Sequence, residues 1–251
     1  MYEFTTLAAA KRLTGLSYLG GTTKSVKHRK AGKYGELTYA LYLAPANSSG
    51  YEVCPGRTKE CTKFCLNESG MNTMIRNDRG DMINNSRITK TRLFFEHREF
   101  FMKWMIYEIL AAQRKAIRMT YQFSVRLNNT SDISPLDFIL KGKNILEMLP
   151  EIQFYEYTKI PDRVKLMDIY KNYDVTFSYT GYNLTECELM LLKKIKVAVV
   201  FKNVPENFWG YPVIDGDKND LRYHDDKGVV IGLLYKRVRT KLTSNIKFVI
   251  Q

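Results

Sequence analysis

The strongest constraint on this chain is a rhythm that begins near residue 121. Short apolar runs finish in polar residues and give way to helical patterns. Residues 121–127 lead into Asn128-Asn129-Thr130-Ser131-Asp132, 152–155 into Tyr157-Thr158-Lys159, and 175–177 into Ser178-Tyr179-Thr180. The run 197–201 then reaches Lys202-Asn203, 213–214 reaches Asp215-Gly216-Asp217, and 229–234 closes the series. Helical candidates at 145–148, 163–170 and 186–194 separate several of these runs, the last with Thr185 as its cap. Parallel strands need a crossover between them, so strand, polar end, helix, strand is the order of a parallel sheet. The earlier run 37–44, ended by Pro45, supplies a seventh strand. The prediction is an α/β fold built as an irregular or incomplete (β/α) barrel; an open doubly wound sheet fits the same pattern. Both gather functional side chains at the carboxyl ends of the strands.

Residues 81–119 interrupt this rhythm with a helical insert, too long for one average helix, that should break near His97. The expected organisation is a basic N-terminal segment, 1–34, followed by a single α/β domain, 35–251. An apolar content of 45% excludes general disorder. No G-x-G-x-x-G or P-loop pattern supports an ordinary nicotinamide or nucleotide reading. The start of the chain lacks a basic region leading into an apolar core, and the apolar stretches are short. A soluble protein of the cytoplasm, without a membrane partner, is expected.

Three of the four cysteines crowd into Cys54-x6-Cys61-x3-Cys65, in the loop after the first predicted strand. A reduced chain of this size has no need of disulfide staples, so clustered thiols point to a metal or redox task. Thiolates are soft ligands, and the candidates are an iron–sulfur cluster or, as the alternative, zinc. Zinc needs a fourth ligand, for which Cys187, His28 and His97 are available. Cys187 also fits an ordinary core position on an amphipathic helix. Arg57 and Lys63 lie in the same loop and can offset thiolate charge.

The polar strand ends supply the other candidates. Asp132, Lys159, Asp215 and Asp217 are the acid/base or cation-binding set, and Asn128, Thr130 and Ser178 the cofactor-binding set. The bland reading of Asp215-Gly216-Asp217 is turn chemistry.

The formal charge is +13, with 39 Lys and Arg against 26 Asp and Glu. Such an excess favours phosphate-rich or acidic partners over a small-metabolite role. The basic residues concentrate in three segments, from which Lys27, Arg29, Lys30, Arg87, Lys90, Arg92, Arg237, Arg239 and Lys241 are the candidate nucleic-acid contacts, with RNA and DNA equally compatible.

Several stretches together resemble the phage and plasmid gene-88 product family. They are Cys54-Pro55-Gly56-Arg57-Thr58 with Cys61, Cys65-Leu66-Asn67 and Gly70; Arg87-Ile88-Thr89-Lys90-Thr91; and Arg126-Leu127-Asn128-Asn129-Thr130-Ser131-Asp132-Ile133. Tyr155-Glu156-Tyr157-Thr158-Lys159, the run 197–201, and Ile214-Asp215-Gly216-Asp217 with Asp220-Leu221-Arg222 complete the set. The similarity runs over residues 35–236 and implies a mobile-element origin without a defined activity. More distantly, a cysteine loop directly after the first strand is similar to the arrangement of radical S-adenosylmethionine proteins, although their usual spacing is C-x3-C-x2-C.

Three functions are therefore expected in competition. The first is a phage or mobile-element nucleic-acid-binding protein, acting on RNA or a host ribonucleoprotein in the host cytoplasm, with a cysteine-ligated centre. The second is a cluster- or metal-dependent enzyme with its site at the strand ends. The third is a protein-only inhibitor of a host complex.

Overall fold

The computed structural model describes residues 2–22, 30–65, 80–238 and 242–251. After helix α1 (Leu7–Thr14) and the two-residue strand β1 (Gly20–Gly21) come β2 (Glu36–Leu41) and, in the cysteine loop, the short α2 (Lys59–Lys63). Two long helices follow, α3 (Gly80–Glu96) and α4 (Arg98–Arg118), then β3 (Gln122–Arg126), β4 (Gln153–Thr158) and β5 (Tyr173–Ser178). Helix α5 (Leu184–Leu192), β6 (Lys196–Phe201), β7 (Tyr211–Asp215), β8 (Val230–Leu234) and β9 (Val249–Ile250) complete the main elements.

All seven predicted strands are present, and the ladder runs β1-β2-β3-β4-β5-β6-β8-β7 with β9 added to β6. Every pairing from β2 through β7 is parallel. The sheet is therefore a large, mostly parallel α/β sheet, and among the described residues no pairing closes its ladder into a ring. Two details depart from the sequence order. β8 inserts between β6 and β7, and β2 stops at Leu41, three residues before the predicted end, as the chain turns toward the cysteine loop.

The insert breaks at His97 as its length demands. His97 has left helical geometry, with φ −135° and ψ 52°, so its ring stacks on Tyr2 at 3.9 Å and α4 starts afresh. The buried stripe of α4, including Phe101, Trp104, Met105 and Ile109, packs on one sheet face through Tyr39, Leu41, Val125, Phe154 and Val175. Full burial of each such apolar side chain contributes about 1.5–3 kcal/mol. On the same helix Glu108 accepts from Tyr39 Oη at 2.7 Å, Trp104 Nε1 at 2.9 Å and the backbone N–H of Gly20 at 3.0 Å. That carboxylate draws β1 against β2, where Gly20 is obligatory: a Cβ there would stand 2.4 Å from the Tyr39 ring. Part of the 1–34 segment is thus woven into the α/β domain. A second cluster forms where α5 lays Cys187, Met190 and Leu191 on Val197, Val199 and Phe201. The predicted cap Thr185 lies inside α5; the N-cap is Asn183, whose Oδ1 instead accepts from Thr180 N at 2.8 Å.

The opposite sheet face is polar toward β2 and β3, with a small apolar cluster at Ala198, Val229 and Ile231. Thr38 and Ser124 hydroxyls meet at 3.0 Å, and the connection between β7 and β8 folds back across this face. From it Tyr223 Oη donates to Glu36 at 2.8 Å, His224 Nε2 meets Glu36 at 2.7 Å, and Asp220 pairs with Arg126. Of these, Arg126 and Asp220 border an open space at the strand ends.

Candidate functional site

That space is a cavity of about 810 Å³ at the carboxyl ends of the parallel strands. Its wall takes Tyr42 and Ala44 from beyond β2, Arg126 and then Asn128 to Asp132 from the end of β3, Tyr157 from β4 with Lys159 just past it, Ser178 from β5, and Ala198 and Val200 from β6. Asp217, Asp220 and Tyr235 come from the far end of the ladder. A concave, partly aromatic wall with a few polar groups suits a small organic ligand better than a duplex.

Cys54, Cys61 and Cys65 all reach this wall, and all three are half-buried thiols outside any disulfide. Local folding explains their spacing. Thr58 caps α2 by accepting from Cys61 N at 3.0 Å, so Cys61 sits in the first turn. Cys65 lies just past the end of α2, where its backbone N–H donates to Thr62 O at 3.4 Å. Cys54 arrives from the other side: Sγ accepts from Ala46 N at 3.5 Å and donates to Thr130 O at 3.8 Å. Gly56 lets this loop press on the end of β4, since a Cβ there would lie 2.9 Å from Lys159 Cβ.

Lys159 faces all three thiols, with Arg57 of the loop near Cys54 and Cys61 and Arg87 near Cys65. Arg57 is committed to Glu52 at 2.9 Å, and Lys63 is exposed. Burial alone would depress the Lys159 ammonium, but Cys61, Asp132, Cys54 and Cys65 together outweigh it and raise its pKa. Burial pushes the Cys54 thiol up to about 12, so it is a neutral thiol at ordinary pH unless a cation takes its proton's place. The soft donor set and the adjacent positive charge suit a thiolate-bound centre. With the side chains as they stand, no group of three or more His, Cys, Asp or Glu among the described residues is drawn close enough to hold an ion.

The other candidates separate clearly. Asp132 is buried and accepts from Thr158 Oγ1 at 2.7 Å and Lys159 N at 2.8 Å. Asn128 is buried too: its Oδ1 accepts from Ser131 Oγ at 2.7 Å and Ile133 N at 3.0 Å, while its amide donates to Ile133 O at 2.8 Å and to Glu156. It shapes the turn after β3, and its hydrogen-bonding capacity is spent there. Thr130 Oγ1 donates to Leu43 O at 2.6 Å, tying that turn to the end of β2. Ser178 lines the cavity without such an evident structural task. Asp217 lines it as well, accepting from Leu234 N at 2.8 Å and pairing with Lys236 at 3.3 Å. Asp215 is exposed, outside the cavity wall, and accepts from Asp217 N at 2.8 Å, which is the turn chemistry weighed above. Cys187 is a fully buried core residue on the inner face of α5, and His97 lies in the α3–α4 break, away from the cavity wall. His28 lies outside the described residues.

Arg87 and Lys90 depart from the expected outer basic face. Both are buried, Arg87 in the cavity wall and Lys90 over the Tyr18 ring at 4.4 Å. Burial lowers the Arg87 pKa. Helical periodicity turns these two inward while Arg92 stays exposed, its Nε donating to Ser49 O at 3.2 Å. Lys30 and Arg237 are exposed, with Lys30 Nζ donating to Asp217 O at 3.0 Å. Lys27, Arg29, Arg239 and Lys241 lie outside the described residues.

Two groups lay outside the predicted site residues. Glu156 is buried at mid-strand and accepts from Arg163 at 2.7 Å as well as from Tyr173 and Asn128; burial raises its pKa, with Arg163 pulling the other way. Arg126 and Asp220, buried in the cavity floor, are the second. Neither had a signal beyond a charged residue in or beside a strand.

Among the described residues no helix is long and apolar enough to cross a membrane. No curated protein and no solved structure matches the chain. The comparisons lend nothing to the likeness with radical S-adenosylmethionine proteins. A family model for gene product 88 matches residues 14–249, a wider span than the quoted stretches and one that takes in much of the basic N-terminal segment. By that match the chain belongs to the gene product 88 family of phage proteins.

Proposed function

We propose that this phage protein is an enzyme whose cavity holds a cysteine-ligated iron–sulfur centre, with zinc as the competing occupant. The observation that carries the reading is the arrival of Cys54, Cys61 and Cys65 on the wall of one cavity at the strand ends, beside Lys159. Cys54, Cys61 and Cys65 would hold the centre. Bound there, a cluster would pass electrons from an external reductant to a ligand, and zinc would polarise one. The chain's own residues do the rest. Lys159 offers a positive charge to the thiolates and to an anionic group on the ligand. Asp132 fixes the Lys159 backbone. The Arg126–Asp220 pair and Tyr157 form a polar floor, and Tyr42, Tyr179, Tyr235 and Phe248 give the wall an aromatic surface.

The test is anaerobic purification followed by iron, sulfide and zinc analysis of the wild type and of Cys54→Ser, Cys61→Ser and Cys65→Ser. The expected result is bound metal in the wild type and its loss in each variant. Metal-free wild-type protein, or equal metal in all three variants, overturns the reading.

The net charge favours a second reading, association with RNA or single-stranded DNA, directly or within a host ribonucleoprotein in the host cytoplasm. Arg114, Lys115 and Arg118 lie exposed at the end of α4, and a patch of this kind binds phosphates in a salt-dependent way. Binding at low salt that weakens when these three become Glu supports it; no retardation of either nucleic acid removes it.

A further inference from the structure

The segment 242–251 is built into the cavity wall. β9 pairs with β6 at Val200 and Phe201, just past Ala198, where the pairing of β5 with β6 ends. It therefore fills the place that β5 vacates, and Phe248 beside it lines the cavity. A two-residue strand is too short to hold itself in place. Its anchor is a side chain of the cysteine loop. Glu60, next to Cys61 on α2, accepts from the backbone N–H of Lys247 at 3.0 Å and of Phe248 at 2.7 Å through Oε2. Its Oε1 accepts from Tyr182 Oη at 2.6 Å. The Lys247 ammonium lies over the Tyr182 ring at 5.3 Å. Gly181 permits the crossing, because a Cβ there would stand 2.8 Å from both Lys247 C and Phe248 N.

The geometry points to a latched strap: residues 242–251 form a removable wall of the cavity, and Glu60 is the latch. Charge-assisted hydrogen bonds from adjacent amides to one carboxylate are strong, but they hang on a single exchangeable side chain. The ladder behind them is minimal, so the strap is a low-stability unit on a stable sheet. The latch and Cys61 are neighbours on α2, so releasing the strap uncovers the cysteine side of the cavity. The inference rests on the cavity wall alone and holds whether or not the thiols carry a metal.

Hydrogen exchange and alkylation of chelator-treated protein by iodoacetamide test it, with buried Cys187 as the internal control for folding. In Glu60→Ala, exchange at Lys247 and Phe248 should rise about tenfold or more, as expected for a locally opened segment, while β6 amides keep their protection. Cys61 alkylation should rise in step, and Cys187 should stay unlabelled. Wild-type protection at Lys247 and Phe248 overturns the latch. Release of the segment with no change at Cys61 overturns the wall. Should Glu60→Ala also expose Cys187, Glu60→Gln and Gly181→Ala are read in its place. The first weakens the latch, and the second pushes the strap away from the other side. The same pair of outcomes decides both, and metal content is scored separately.

Discussion

Asp132 Oδ2 accepts the backbone N–H of Lys159 at 2.8 Å, joining the turn after β3 to the residue that faces the three thiols. Its other oxygen takes the Thr158 hydroxyl at 2.7 Å, and Arg163 stands 3.7 Å away. The carboxylate is thus a buried brace between two strand ends. Asp132→Ala should cost about 2–3 kcal/mol, the loss expected for hydrogen bonds to a buried charged group. Asp132→Asn, which keeps one acceptor, should cost less. Urea denaturation of the two variants checks this, and a cost under about 0.5 kcal/mol for the alanine variant would deny the brace.

Arg126 and Asp220 are a buried pair, Arg126 with its Nε unsatisfied. Asp220→Ala leaves a buried guanidinium without its counter-charge and should cost about 3–5 kcal/mol. The double variant Arg126→Met, Asp220→Leu should regain most of that loss, because the desolvation cost disappears with the charges. Thermal melts of the single and double variants give the answer. A double variant no more stable than Asp220→Ala would show that the pair does more than neutralise itself.

Gly56 touches the end of β4 where a Cβ would lie 2.9 Å from Lys159 Cβ and 3.0 Å from Ile160 Cδ1. Gly56→Val should lower stability by about 1–3 kcal/mol through overpacking and lift the cysteine loop off the strand. Metal retention should fall with it. Full metal content at unchanged melting temperature would mean that the loop is not seated by this contact.

Alkaline pH should unfold the protein early. Burial pushes the Cys187 thiol up to about 12 and holds Tyr39, Tyr155 and Tyr173 well above the ordinary phenol range. In the unfolded chain these groups ionise near their ordinary values, whereas in the folded chain they keep their protons. Stability is therefore level below those ordinary values and falls as pH rises toward the folded ones. For Cys187 alone the slope is about 1.4 kcal/mol per pH unit once the ordinary thiol value is passed. Urea midpoints at neutral pH and at pH about 10.5 should show the drop, and Cys187→Ala should flatten part of it. Equal slopes with and without the thiol would contradict its burial.

Much of the architecture was legible because its causes are local. Val197 to Phe201 reads as a strand whatever surrounds it, and His97 falls where one helix would otherwise grow too long. The crowding of Cys54, Cys61 and Cys65 was visible, and so was their place after the first strand. Lys159 stood out as a polar strand end, although its company did not. Arg87 and Lys90 were misplaced because charge suggests a surface, while the helical period turned both toward the interior. Glu156 and Glu108 escaped notice because a lone acid in an apolar run carries no sign of the partners it will meet.

By itself, then, the sequence determined the parallel α/β grammar, the cysteine loop and the helical pair, since propensity and periodicity act over a few residues. Tertiary structure alone decided that β8 would slip between β6 and β7, that Asp220 would reach Arg126 across 94 residues, and that Glu60 would hold a segment 187 residues away. Those contacts form only after the sheet has brought its two ends together, and no local pattern encodes which distant charge will be waiting there.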